Sequence, residues 1–359
     1  MVEHQGWHPV ALSDSVADAP QPAMLLDEPL VLWRSADAGV MAWADRCPHR
    51  GAQLSMGCVR QTAEGSQLEC PYHGWRFNRA GQAVRVPALP SFIPPATHHA
   101  TVHQALERHG LVWVRLMPGG DAALPAFAAE EEPALRKVNC GPYDVATSAP
   151  RIVENFLDLA HFGFVHDGWL GDREHTPLAD YRVERTATGF IASGCKAWQP
   201  KSSVQAQAGA DVHYSYEVNA PYSAVLTKMT SLAPETPSAS PPRGGVGRLG
   251  SDPAAADPSS LVLADCRESI ALFICPLTAE TSRVWFRLAM NDVDSTDATL
   301  QAFQHTIFMQ DRPVLESQSP KRLPISDQAP VQELHCAADR SAMAYRRFLR
   351  ERGITYGTC

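Results

Sequence analysis

Two short segments constrain this chain more than anything else in it: CPHRG at residues 47–51 and CPYHGW at residues 70–75. Each supplies one thiolate and one imidazole. Proline stiffens each loop (Pro48, Pro71), and glycine (Gly51, Gly74) lets the backbone pass close to whatever the loop holds. Two such loops together enclose a small metal centre with Cys47, His49, Cys70 and His73 as ligands. A structural Zn2+ uses the same residue types. Zinc fingers, however, pair Cys with Cys and His with His, whereas each loop here pairs Cys with His. The mixed loops suit a [2Fe-2S] cluster with two different irons, one held by two Cys and the other by two His, an arrangement with a potential of roughly −150 to +300 mV. Cys58, between the loops, reads as a buried thiol rather than a ligand.

A second set of metal-binding residue types follows. SAPRIVENFLDLAHFGFVH (residues 148–166) reads as a helix, with Ser148 placed to cap it and Pro150 in its first turn. Glu154, Asp158 and His161 fall on one helical stripe and Asn155 flanks it, while Ile152, Val153, Phe156, Leu157 and Leu159 cover the other faces. A helix apolar nearly all round is buried, so its polar stripe needs partners. A hydrogen-bond network would meet that need, but His166 favours a metal. It lies five residues from His161, about 140° round an ideal helix. The two converge only if the helix bulges or ends between them, which Gly163 permits. Two His and one carboxylate on one face of Fe(II) leave positions open for O2. The carboxylate must come from elsewhere. On the helix near 297–315, Leu300, Phe303, Ile307, Asp311 and Val314 share a stripe, and an ionised Asp311 in that core position needs a metal or a cation. Asp292, Asp294 and Asp297 read as acidic groups at the helix start, and Glu316 points to the opposite face. Asp311 is the expected third ligand.

The rest of the chain narrows the function. A net charge of −8 over 359 residues argues against a nucleic-acid binder, which needs clustered Lys and Arg. No apolar run nears the ~18 residues of a membrane span, and the start lacks a basic segment followed by an apolar one; no membrane association and a cytoplasmic location are expected. Nine Cys then read as thiols and ligands, not disulfides. Residues 1–118 look all-β and 119–359 mix strands and helices, so two domains are expected, with a flexible Pro/Gly-rich loop at about 233–260. That loop contains GxGxxG (Gly245, Gly247, Gly250). It neither follows a strand nor opens a helix, because Pro241 and Pro242 precede it and Pro253 and Pro258 follow. Nicotinamide is not expected there, so electrons come from another protein.

Taken together, CPHRG, CPYHGW, ENFLDLAHFGFVH and QDRPVLESQ resemble the Rieske-type non-haem iron oxygenases, specifically the terminal oxygenase of the aromatic-compound demethylating and hydroxylating type. The likeness runs from WHPV near residue 7 to the YRRFL helix, with a small insertion at Ala63–Ser66. The resemblance implies an α+β fold: an N-terminal all-β Rieske domain, then a helix-grip (START-like) catalytic domain with a central antiparallel sheet. It implies a [2Fe-2S] cluster and a mononuclear Fe(II) on His161, His166 and Asp311. Asp158 and Asn155 become catalytic residues, Asp158 bridging to His73 of a neighbouring subunit in a homotrimer. The implied partners are an NAD(P)H-dependent reductase of flavin or ferredoxin type, O2 and a small aromatic substrate. The expected reaction is monooxygenation, by O- or N-demethylation or by hydroxylation; ring cis-dihydroxylation and a non-catalytic Rieske electron carrier are the alternatives. Substrate contacts are expected from His213, Tyr216, Asn219 and Trp285.

Overall fold

The computed structural model describes residues 1–119, 123–204, 206, 208–230 and 266–359. The GxGxxG motif and the Pro/Gly-rich segment lie outside the described residues. The first part is built from β1 (His8–Leu12), β2 (Gln21–Leu25), β3 (Glu28–Ser35), β4 (Gly39–Ala44), β5 (Cys58–Thr62), β6 (Gly65–Glu69), β7 (Arg76–Phe77), β8 (Ala83–Arg85), β9 (Val102–Arg108) and β10 (Leu111–Arg115). β1–β4 and β9–β10 pair in the order β1-β10-β9-β4-β3-β2, and β5–β8 form a separate meander. The meander carries the second Cys/His loop between β6 and β7, and the small insertion is the tip of the β5–β6 hairpin. Trp33, Trp43, Leu54, Leu68 and Phe77 pack between these sheets and lie under Cys47 and Cys70.

The second part centres on a seven-stranded antiparallel sheet, in the order β11-β17-β16-β15-β14-β13-β12. Its strands are β11 (Arg136–Val145), β12 (Arg182–Arg185), β13 (Phe190–Gln199), β14 (Ala210–Ala220), β15 (Ser223–Thr230), β16 (Cys266–Thr278) and β17 (Thr281–Met290). Among the described residues, α1 (Ala149–Phe156), α2 (Phe162–Val165), α3 (Asp297–Ser317) and α4 (Arg340–Glu351) accompany it. Alternation along each strand decides which side a residue serves. Val284, Phe286, Leu288 and Met290 of β17 pack in the core that holds α1, α3 and α4. Trp285 and Ala289, between them, pack with Leu111–Val114 of the first part. The sheet is thus buried on both faces, one against helices and one against the six-stranded sheet of β1–β4, β9 and β10.

Two helices differ from the sequence expectation. The segment 148–166 is two helices, not one: α1 ends at Phe156 and α2 starts after His161. Ser148 occupies the N-cap position, but its hydroxyl is buried and makes no capping bond. In α3 the buried stripe is Leu300, Ile307, Phe308, Asp311 and Leu315, whereas Val314 is exposed. Thr296 caps α3 by accepting from the Thr299 amide at 3.1 Å.

Candidate metal centres and the cavity between them and the sheet

The two Cys/His loops have the same backbone. The Cys47 amide donates to the Ala52 carbonyl (2.8 Å) and the Gly51 amide to Cys47 (2.9 Å); the Cys70 amide donates to Trp75 (2.8 Å) and the Gly74 amide to Cys70 (3.1 Å). Both turns close through a left-handed glycine, φ 71° at Gly51 and 66° at Gly74. The thiols of Cys47 and Cys70 lie inside, His49 is half-buried and His73 is exposed. The two imidazoles sit edge to face with centroids 4.7 Å apart, and Trp75 stacks on His49. Burial, above all, pushes the Cys47 thiol up to about 11, so a thiolate there requires a bound cation. The donor set fits a [2Fe-2S] cluster: thiols for an inner iron and imidazoles for an outer one. Among the described residues, these four donors do not gather as closely as a single ion requires. The donors that do are His161, His166 and Asp311, within 4.8 Å of one another.

That triad comes from the two ends of α2 and from α3. Where α1 ends, the Asp158 carboxylate accepts from the Ala160 amide at 2.8 Å and turns the chain. α2 is a single turn with His161 before it and His166 after it. Gly163 is required there, because an added Cβ would sit 2.5 Å from the Asp172 carbonyl oxygen. The Nε2 atoms of His161 and His166 are 3.2 Å apart. They lie 3.4 and 3.2 Å from Asp311 Oδ1 on α3. An octahedral ion with bonds of ~2.1 Å places adjacent ligands about 3.0 Å apart, so the spacing fits three adjacent positions on one metal. Each ring is held from behind: His161 Nδ1–H donates to Asp158 Oδ2 (3.1 Å) and His166 Nδ1–H to the side-chain Oε1 of Gln310 (2.8 Å). This fixes Nε2 of each as the metal-facing atom. Asn155 donates to Asp311 Oδ1 at 3.3 Å. Burial would raise Asp311 and lower His161. The mutual contacts reverse both effects, holding Asp311 at about 2 and, with Asp158, raising His161 to about 9. The three groups favour positive charge between them. The observed donors match the two-His, one-carboxylate Fe(II) site.

The triad closes one end of a cavity. Apolar walls come from Ile152, Phe156, Leu226, Ile270, Leu272, Phe286, Ile307 and Phe308; Tyr214, Tyr216, Lys228, Glu268 and Gln304 add polar atoms. Of the four expected substrate contacts, only Tyr216 lines it. His213 and Asn219 are one residue out of phase with Tyr214 and Tyr216 on β14, so they face the other side; Asn219 bonds Ala126. Trp285 is out of phase on β17 and fills the core between sheets. Glu154, expected on the same stripe as Asp158, instead pairs with Arg346 of α4. Gln310, Gln304, Lys228 and Glu268 were not anticipated. Gln310 could have been suspected as the neighbour of the expected ligand Asp311, whereas Lys228 and Glu268 depend on strand register and Gln304 on the facing of α3.

Residues 6–103 match the Rieske [2Fe-2S] domain family, and residues 145–353 match the vanillate O-demethylase oxygenase C-terminal domain. The chain is 31% identical over 352 residues to methylxanthine N1-demethylase NdmA of Pseudomonas putida, covering 96% of this chain and 88% of that protein. It is 35% identical over 165 residues to the oxygenase component of dicamba O-demethylase of Stenotrophomonas maltophilia, covering 45% of this chain and 46% of that one. The structure of Pseudomonas putida CBB5 NdmA with caffeine superposes with a TM-score of 0.76 at 28% identity, covering 98% of this chain and 91% of that one. Dicamba monooxygenase bound to dicamba, at 22% identity and a TM-score of 0.74, shares the fold. With both domain families matched and a relative aligned along nearly its whole length, the chain belongs to the Rieske non-haem iron oxygenases and is a terminal oxygenase component, an oxidoreductase of the [2Fe-2S] cluster and mononuclear iron class.

Proposed function

We propose that this oxygenase removes a methyl group from oxygen or nitrogen of a small aromatic or heteroaromatic compound. The overall balance is R–X–CH3 + O2 + 2e− + 2H+ → R–XH + HCHO + H2O. The observation that carries this reading is the triad at the end of an apolar cavity, together with demethylases among the relatives. Residues 1–118 would hold the cluster on Cys47, His49, Cys70 and His73, and 119–359 the iron on His161, His166 and Asp311. When bound, the cluster supplies electrons and the iron supplies O2 activation. The chain does the rest. Asp158 and Gln310 orient the two imidazoles and Asn155 steadies the carboxylate. Phe156, Phe286 and Phe308 hold the aromatic ring and exclude water, so that the methyl group faces the triad.

Electrons come from a separate reductase dependent on NAD(P)H, of flavin or ferredoxin type, in the cytoplasm. The oxygenase works as a homotrimer. Asp158 is 32% exposed at the outer edge of the triad, and His73 is exposed at the outer edge of the cluster loops. A head-to-tail neighbour can bring these two surfaces together. Reconstitution with a reductase and a panel of O- and N-methyl aromatics tests the reaction. Formaldehyde equal to O2 consumed supports it, whereas a cis-diol carrying both oxygens would assign ring dihydroxylation instead.

A further inference from the structure

The cavity contains an ion pair that the iron chemistry does not use. Lys228 Nζ and Glu268 Oε2 are 2.7 Å apart, and their side chains are 8% and 19% exposed. They are register partners across β15 and β16. Tyr214 pairs with Lys228 across β14, so Tyr214, Lys228 and Glu268 form one polar row. The adjacent row is Tyr216, Leu226 and Ile270. All six line the cavity. Lys228, Glu268, Phe303 and Gln304 also line a neighbouring cavity with Ser202, Thr230 and Arg267. The pair therefore stands where the two cavities meet.

A strap between two strands has no need of this position. A well-packed apolar pair would serve the buried face at lower cost, because two charges must be stripped of water there. A second observation points to a ligand: the Tyr216 hydroxyl, 1% exposed and lining the same cavity, has no hydrogen-bond partner. We infer that the Lys228–Glu268 pair, with Gln304 and the Tyr216 hydroxyl, selects an uncharged substrate that presents a carbonyl acceptor beside an N–H donor, such as an amide, lactam or imide edge, and rejects carboxylates. The ammonium donates to the carbonyl and the carboxylate accepts from the N–H. A carboxylate substrate would face Glu268, and an organic cation would face Lys228. The pair is neutral as a unit, so neither ion is compensated. A site built to satisfy one hydrogen-bonding edge rejects the analogue that lacks it, because its own buried groups are then left unpaired.

This selectivity rests on the demethylating reading of the same cavity, and the experiment separates the two. Meta-methoxybenzamide and meta-methoxybenzoate share shape and methyl ether but differ in charge. Both are titrated calorimetrically, without O2, into iron-loaded oxygenase, and then assayed for formaldehyde with a reductase. Wild-type protein should bind the amide at least about tenfold more tightly, the worth of one charge-assisted hydrogen bond. Glu268→Gln frees Lys228 and should reverse the preference, mainly through KM rather than kcat. The double variant Lys228→Met, Glu268→Leu removes both charges, protects the fold and should bring the two affinities within a few-fold of each other. Equal or carboxylate-favouring binding by the wild type, binding of neither probe, or a preference unmoved in both variants overturns the inference. Selective binding without formaldehyde refutes the demethylation but leaves the selectivity standing. Formaldehyde without selectivity does the reverse.

Discussion

Asp158 and Gln310 do the same thing to two different rings: each accepts the Nδ1 proton of a histidine and turns Nε2 towards Asp311. They differ in where their other side looks. Gln310 sits on α3 above the buried His166, while Asp158 reaches the surface. Asp158→Asn keeps the shape and much of the bonding but removes the charge. The variant is expected to fold, to hold iron and a reducible cluster, and to turn over at least about a hundredfold more slowly, as for other losses of an electrostatic partner at a reacting centre. Single-turnover kinetics on pre-reduced protein check this, and unaltered electron transfer from cluster to mononuclear iron would assign Asp158 a structural role only. A second residue governs acid sensitivity. Burial, partly opposed by the bond from His8 Nε2 to the Glu3 carbonyl (2.8 Å), lowers His8 from 6.5 to about 4. The folded state favours neutral His8, so its contribution is complete above pH 6.5 and is lost as the pH falls through about 4. The loss amounts to about 3 kcal/mol at most. Urea unfolding of wild type and His8→Gln across pH 7 to 4 should give a flatter dependence for the variant.

At the scale of elements, α1 depends on a buried ion network. Arg346 of α4 bonds both oxygens of Glu154 (2.6 and 2.8 Å) and also Glu333, and Glu333 bonds Arg151 of α1 at 2.7 Å. The Arg151 and Arg346 side chains are 3% and 8% exposed. Arg346→Met leaves Glu154, 15% exposed, without its two-bond partner, while Glu333 keeps Arg151; it should destabilise the fold by about 1–3 kcal/mol, read as a lower Tm by calorimetry, with the cluster spectrum unchanged below the transition. The same helix shows what was legible in the sequence. The candidate ligand residues were readable because Cys, His and Asp in core or paired-loop positions have few other uses. The break after Phe156 was not, because helical periodicity continues through Asp158 and His161 although Asp158 itself turns the chain. The substrate-facing strand residues failed by one step: His213 and Trp285 alternate with residues that do face the helical core. Lys228 and Glu268 were out of reach, because their meeting depends on the pairing of β15 with β16, nearly forty residues apart in sequence.

The whole molecule is tied together across its length. Glu3 Oε1 accepts from the Thr355 and Tyr356 amides (2.6 and 2.8 Å), Tyr356 donates to Asp27 (2.7 Å), and one core is shared by the six-stranded sheet and the far face of the seven-stranded sheet. No helix among the described residues is long and apolar enough to cross a membrane. Sedimentation of active enzyme should give a trimer, and a monomer with full turnover would refute the head-to-tail arrangement. The central claim is that one chain carries two separate metal centres, a cluster on Cys47, His49, Cys70 and His73 and an iron on His161, His166 and Asp311. Iron and acid-labile sulfide measured on wild type and on Asp311→Ala test it directly. The wild type should contain ~3 iron and ~2 sulfide per chain, and the variant ~2 of each with an unchanged cluster spectrum. Equal iron in the two proteins, or loss of sulfide from the variant, would contradict the assignment.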